Sequence, residues 1–308
     1  MALSFILITA CYQPGSQKQQ TSTGNLESPA DCKVVRHKLG ESCIPTHPKR
    51  VVILDEFYIL DAISALGIKP MGYAACFICV SSNTLSKFVS DIPDVGDMDS
   101  PSLEKILNLK PDLILGLEWQ EKSYPLLSKI APTVMIEEPE ISGFKNTLKY
   151  IAEILDRSDL VEGILAKYES KVQDFQQQLG EKLQNKTVSV LGVDGASLYV
   201  NKLENNIYGQ VMLDLGIQFA PAHQSIKNNG YIPVSIETLP DWDSDFLFIL
   251  QNYERHAEDF EAILQQPIWS TLEVVQNKRV HPIILDVWGS ITATQFIDDL
   301  YQYFISVL

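Results

Sequence analysis

Short apolar runs alternate with helical stripes along most of this chain. PKRVVILD (48–55) is entered through a proline and closed by an acid, the pattern of a strand buried in a parallel sheet. YILDAISALGI follows, with apolar residues at 59, 60, 63 and 66 on one helical face and Gly67 as its stop. KPMGYAA (69–75) is the next predicted strand. In SPSLEKILNLKPDLILGL, Ser102 caps a helix carrying Leu103, Ile106, Leu107 and Leu109; Pro111 ends it, and DLILGL is another buried strand. YPLLSKIAPTVMIEE reads as a further helix and strand.

The rhythm then breaks. From Ser158 to Leu183 apolar residues fall at 161, 165, 168, 172, 175, 179 and 183, a continuous stripe that predicts one long helix. Afterwards TVSVLGV (187–193) is a strand, IYGQVMLDLGI (207–217) a helix, and VSIETLP leads to the strand DFLFIL (245–250). PIWSTLEVVQNK reads as a helix, RVHPIILD (279–286) as a strand, and 291–307 as a closing helix. Strands alternating with helices imply parallel sheets covered by helices. The chain is therefore expected to be α/β: one lobe over 32–157, a connecting helix over 158–183, and a second lobe over 184–308, with a ligand cleft between the lobes.

The first residues change the compartment. LSFILIT is too short to span a membrane and reads as the apolar core of an export signal, although no Lys or Arg precedes it. It ends at Ile8-Thr9-Ala10-Cys11, which resembles a bacterial lipobox. Residues 1–11 are thus expected to be a lipoprotein signal with Cys11 as the lipidation site, and 12–31, rich in Gln, Ser, Thr and Gly, a flexible tether. The expected location is the periplasm, anchored to the cell membrane by lipid alone. In such an oxidising compartment Cys32 and Cys43 are expected to pair, because Leu39-Gly40-Glu41 between them can turn a hairpin. Cys76 and Cys79 form C-x-x-C away from a strand-to-helix junction, so a local disulfide or two buried thiols is favoured over a redox motif. With 24 Lys and Arg against 39 Asp and Glu, the net charge of −15 argues against nucleic acid as a partner.

The order of motifs resembles that of the periplasmic substrate-binding proteins serving ferric-siderophore, haem and vitamin B12 ABC importers. The resemblance rests on HPKRVVILD with ALGIKPMGY, VGDMDSPSLEKILNLKPDLIL, LSKIAPTV, VSIETLPDWDSDFLFIL and PIWSTLEVVQNKRVHPI followed by DVW. Within that family the cysteine-flanked hairpin is similar to the cyanobacterial iron-siderophore binders. The resemblance implies a class III architecture: two Rossmann-like lobes with parallel-rich sheets, joined by one long helix that limits closure. It also implies a monomeric solute-binding component that hands its ligand to an inner-membrane permease and its ATPase, with no enzymatic activity. Glu104 in SLEKIL and Glu237 in SIETL match the family's pair of permease-docking glutamates; each also starts a helix, where a carboxylate favours the dipole.

Ligands of open α/β sheets bind beyond the C-terminal ends of the strands. The residues there that suit a bulky chelate are Tyr58, Tyr73, Trp119, Tyr208, Tyr231, Tyr253 and Trp288, with Arg255 as a charge-assisted donor. Cations are few, which favours a hydroxamate or citrate-hydroxamate ferric siderophore over a catecholate. Because the chelator fills the iron's oxygen shell, no direct metal ligand and no cofactor are expected. Haem or cobalamin is the competing cargo; haem would take an axial Tyr73, Tyr253 or His256. From another class, a thiol oxidoreductase would use Cys76 and Cys79. No G-x-S-x-G, phosphate loop or H-E-x-x-H accompanies them.

Overall fold

Cys32–His37 (β1) and Gly40–Pro45 (β2) form an antiparallel hairpin closed by a Cys32–Cys43 disulfide. The computed structural model describes Cys32–Leu308 apart from residues 78, 80, 81, 138–142, 195, 196, 227–231, 252–260, 262 and 285. Cys11, Tyr231, Tyr253, Arg255 and His256 therefore lie outside the described residues.

The first lobe carries, in chain order, β3 (Val51–Ile53), α1 (Tyr58–Ala65), β4 (Gly72–Ala75), β5 (Asp94–Asp97), β6 (Ser100–Pro101), α2 (Leu103–Leu109), β7 (Leu113–Leu117), α3 (Tyr124–Leu127), β8 (Thr133–Ile136) and α4 (Phe144–Ile154). Its six strands run in the order β6-β5-β4-β3-β7-β8, parallel except for β6. Every residue of β3, β7 and β8 is buried, as helices on both faces of a parallel sheet require. Each such Val, Leu or Ile contributes on the order of 2 kcal/mol by leaving water.

Ser158–Leu183 (α5) is one unbroken helix, and at ~1.5 Å per residue it is about 39 Å long. It buries Val161, Tyr168, Val172, Phe175, Leu179 and Leu183, while Leu165 packs partly buried between the two lobes' cores. The Tyr168 hydroxyl donates to Asp214 Oδ2 at 2.9 Å, and Lys145 bridges the same carboxylate at 3.0 Å and Glu169 at 2.8 Å. These polar ties fix the helix rotation that the apolar stripe alone would leave loose.

The second lobe carries β9 (Thr187–Asp194), β10 (Ser197–Val200), α6 (Ile207–Asp214), β11 (Gln218–Phe219), α7 (Pro221–Gln224), β12 (Ile232–Val234), β13 (Phe246–Gln251), α8 (Glu273–Gln276), β14 (Val280–Ile284) and α9 (Ser290–Val307). Its sheet runs β12-β10-β9-β13-β14, with β11 also on β9; β11, β9, β13 and β14 are parallel and β10 is antiparallel to its neighbours. PIWSTLEVVQNK is not one helix. It is a 3-10 turn, Pro267–Thr271, and α8, broken by Leu272 at φ −69° and ψ 133°. VSIETLP is likewise the last residues of β12 followed by a 3-10 run, Ile236–Trp242. Helices α1, α4, α5, α9 and α6 pack in succession and link the two sheets. Among the described residues no helix is long and apolar enough to cross a membrane.

Candidate functional site

The C-terminal ends of β3 and β14 meet. Trp288, just past β14, lies 4.5 Å from the Phe57 ring and stands edge-on to Tyr58 at 5.4 Å and 85°. Its indole Nε1 donates to Asp286 Oδ1 at 3.0 Å, and Asp286 Oδ2 accepts the Thr84 N–H at 3.2 Å from the first lobe. Below this contact, buried Asp61 of α1 caps α9 from across the molecule. It accepts from Ile291 N at 3.0 Å, Thr292 N at 2.9 Å and Thr292 Oγ1 at 2.8 Å. A Cβ on Gly289 would sit 2.2 Å from the Asp61 carboxyl, so only glycine admits this approach. The helix N-terminus supplies the positive pole that a buried carboxylate needs, although burial still raises the Asp61 pKa.

Asp55 follows β3 and caps α1, its Oδ1 accepting Ile59 N at 2.7 Å and Phe57 N at 3.3 Å. Burial pushes its pKa up to about 7, and Oδ2 has no partner among the described residues. The same burial, with Asp55 nearby, pushes the Tyr58 phenol up to about 12. Tyr58 and Trp288 are thus partly buried packing partners at the lobe junction.

The open rim lies on the first lobe. Glu56 Oε1 accepts Cys76 N at 2.6 Å, and burial raises its pKa, with Asp94 and Asp97 adding to the shift. Cys76 and Cys79 are joined in a disulfide just beyond β4, with Phe77 between them. On the far side of β3, Trp119 sits in the turn Glu118–Gln120 after β7 and is 47% exposed. That turn is stapled from beneath. Buried Gln120 donates to Leu54 O at 2.7 Å and Met98 O at 2.6 Å, and accepts Leu117 N at 2.8 Å. Gly116 makes room for it, since a Cβ there would lie 2.8 Å from Gln120 Oε1. Glu118 is paired with Lys38 of the hairpin turn at 3.1 Å.

Tyr73, in β4, is half-buried, and burial with Glu56 and Asp94 raises its pKa. Tyr208 is corrected. It is 3% exposed in the second lobe's core, its hydroxyl bonded to Asn201 and Asn206, so it has no surface to offer a ligand. The cause is local: Asn206 caps α6, and the next turn rolls Tyr208 inward beside Ile207 and Val211. Glu104 stands exposed in the first turn of α2, which Ser102 caps through Lys105 N at 3.4 Å. Glu237 is exposed in the first turn of Ile236–Trp242; the Ser235 hydroxyl donates to it and lowers its pKa.

Among the described residues no three His, Cys, Asp or Glu side chains are placed to hold a metal. The described histidines have structural partners. His37 meets Ser42 Oγ at 3.1 Å, and buried His223 accepts Val190 N at 3.0 Å, its pKa pushed down to about 4 by burial. His47 pairs with Asp156 at 2.8 Å, and His281 stacks on Tyr303 at 4.1 Å. Sequence reasoning missed Asp61, Gln120 and Phe77. Only Phe77 left a signal, an aromatic residue between two cysteines directly after a strand.

The Fe(3+)-citrate-binding protein YfmC of Bacillus subtilis is 31% identical over 296 residues, 94% of this chain and 90% of the relative. The petrobactin-binding protein YclQ of the same species is 32% identical, over 91% of this chain and 86% of its own length. Among solved structures, Staphylococcus aureus SirA complexed with staphyloferrin B matches with a TM-score of 0.73 and 27% identity, over 89% of this chain and 98% of that one. Residues 52–283 match the family model described as periplasmic binding protein, and the chain belongs to that family.

Proposed function

We propose that this chain captures a ferric siderophore, with hydroxamate chelates favoured, and delivers it to the inner-membrane permease of an ABC importer without acting on it chemically. The observation that carries the choice of chelate is the charge of the first-lobe rim. No Lys or Arg occurs in the four residues after β3, β4, β5, β7 or β8, whereas Asp99, Glu121 and Glu137 do; Glu56 there is buried and Glu118 is paired with Lys38. Three hydroxamates cancel the ferric charge, whereas three catecholates leave the complex strongly negative, so this rim repels the latter. Relatives named for Fe(3+)-citrate, petrobactin and, in B. subtilis FhuD, iron(3+)-hydroxamate support an iron chelate as cargo.

Haem would call for an axial phenolate or imidazole. The raised pKa of Tyr73 disfavours that phenolate. A thiol oxidoreductase is disfavoured because Cys76 and Cys79 follow a strand, and among the described residues there no helix opens that would stabilise a thiolate. In this reading residues 1–11 are the export signal, Cys11 carries the lipid, 12–31 are the tether in the periplasm, and Glu104 and Glu237 dock on the permease. Arg255, Tyr231, Tyr253, Tyr73 and Trp119 complete the ligand set.

Titration of tryptophan fluorescence tests it, against ferrichrome, ferric schizokinen, ferric citrate, a ferric catecholate, haem and cobalamin. Saturable quenching by a ferric hydroxamate is expected; a response to haem or cobalamin alone refutes the reading. Glu104→Ala with Glu237→Ala is expected to abolish uptake and leave affinity unchanged.

A further inference from the structure

Phe77 is 64% exposed, the most exposed large apolar side chain among the described residues. Its neighbours behave oppositely. Cys76 and Cys79 pack against the apolar cluster under the first-lobe sheet, and their disulfide holds the Cα atoms 5.2 Å apart. Three backbone amides of the loop are also held: Cys76 N by Glu56 Oε1 at 2.6 Å, Phe77 N by Asp97 Oδ2 at 3.0 Å, and Cys79 N by Cys76 O at 3.3 Å. With both sulfurs drawn inward and the Phe77 amide fixed, the ring between them is kept out of the core. Left free, a phenyl ring would fold back onto apolar surface.

Phe77 follows β4 and Trp119 follows β7, the two strands on either side of β3. Two interstrand spacings set these turns about 10 Å apart, room for a bulky chelate. Both lie at strand C-terminal ends, where the fold places ligands.

We propose that Phe77 is a ligand-contacting, specificity-determining residue that seats the uncharged, apolar periphery of the chelate, and that the Cys76–Cys79 disulfide is its positioning clamp. This rests on the chelate-carrier reading. The nearby carboxylates Glu56 and Asp97 are engaged by backbone amides, Glu56 by Cys76 N and Asp97 by Phe77 N and Asp99 N, so the ring is the open apolar surface beside them. Preorganisation gives the clamp its effect, because a ring already held outward loses little freedom on binding.

The test uses the full chain, titrated with ferrichrome or with whichever chelate of the panel binds wild type most tightly. Phe77→Ala is expected to weaken binding roughly tenfold, about 1.4 kcal/mol. Cys76→Ser with Cys79→Ser is expected to weaken it by a similar factor. The triple variant separates positioning from general stability: it should bind no more weakly than Phe77→Ala alone, because the clamp acts only through the ring. Wild-type affinity in Phe77→Ala overturns the proposal, as do losses that multiply in the triple variant. A wild type that binds no chelate of the panel overturns the carrier reading and this inference together.

Discussion

The segment Leu54–Asp61 faces two ways, and its two faces are built by opposite rules. Towards the lobe junction, Asp55 and Asp61 are fully buried, and Asp61 spends its oxygens on the N-terminus of α9. Trp288 closes over Phe57 and Tyr58, and its indole N–H is bonded to Asp286. Towards the rim, Glu56 is tied to Cys76 N, while Phe77 and Trp119 keep large unspent apolar surfaces in water. Buried groups that cap helices and bridge the lobes hold the architecture, at the cost of leaving Asp55 Oδ2 without a partner among the described residues. Groups held in place from beneath but left open above are the ones a ligand can use. The difference is one of exposure rather than residue type, since aromatic rings and carboxylates occur on both faces.

The junction should respond most strongly to pH. Asp55 has an ordinary pKa of 3.8 and one of about 7 in the fold. The folded state therefore binds the extra proton, and the contribution of Asp55 to stability is fully present below about pH 4 and is lost as pH rises towards 7. The gap corresponds to roughly 4 kcal/mol. Asp55→Asn keeps the oxygen that caps α1 and removes the titration, so urea midpoints measured from pH 4 to 7.5 should lose this slope. An unchanged slope would mean that another group carries it.

Next in size is Asp61→Ala, which strands the Ile291 and Thr292 amides and is expected to cost about 3 kcal/mol in urea unfolding with chelate affinity nearly intact. A loss of affinity larger than the loss of stability would erase the division between the two faces. Trp119→Ala should do the reverse: about tenfold weaker binding, near 1.4 kcal/mol, with an unchanged unfolding midpoint. Lys38→Ala breaks a surface pair with Glu118 and should change stability by less than about 1 kcal/mol, an effect that salt removes.

Much of the frame was legible because it repeats. The stripe from Ser158 to Leu183 has the bounds of the helix, and the apolar runs at 51–53 and 113–117 are central strands. Elements too short to show a period were not legible. Ser100–Pro101 and Ser197–Val200 are short strands that pair antiparallel with the strand just before each, Ile232–Val234 joins the latter from more than 30 residues away, and Leu272 interrupts an otherwise helical pattern with an extended backbone. The site was legible as a place more than as a residue set. Tyr208 and Trp119 look alike as aromatics after strands. One is rolled inward by the Asn206 cap; the other is presented outward by Gln120, through bonds to carbonyls 66 and 22 residues away. No local pattern encodes that choice.

An acid-lined aromatic rim should select an uncharged ferric chelate. The direct measurement is a paired equilibrium titration of wild type with ferrichrome and with a ferric tris-catecholate at the same ionic strength. Ferrichrome is expected to bind saturably and at least tenfold more tightly than the anionic complex. Tighter binding of the catecholate would contradict it.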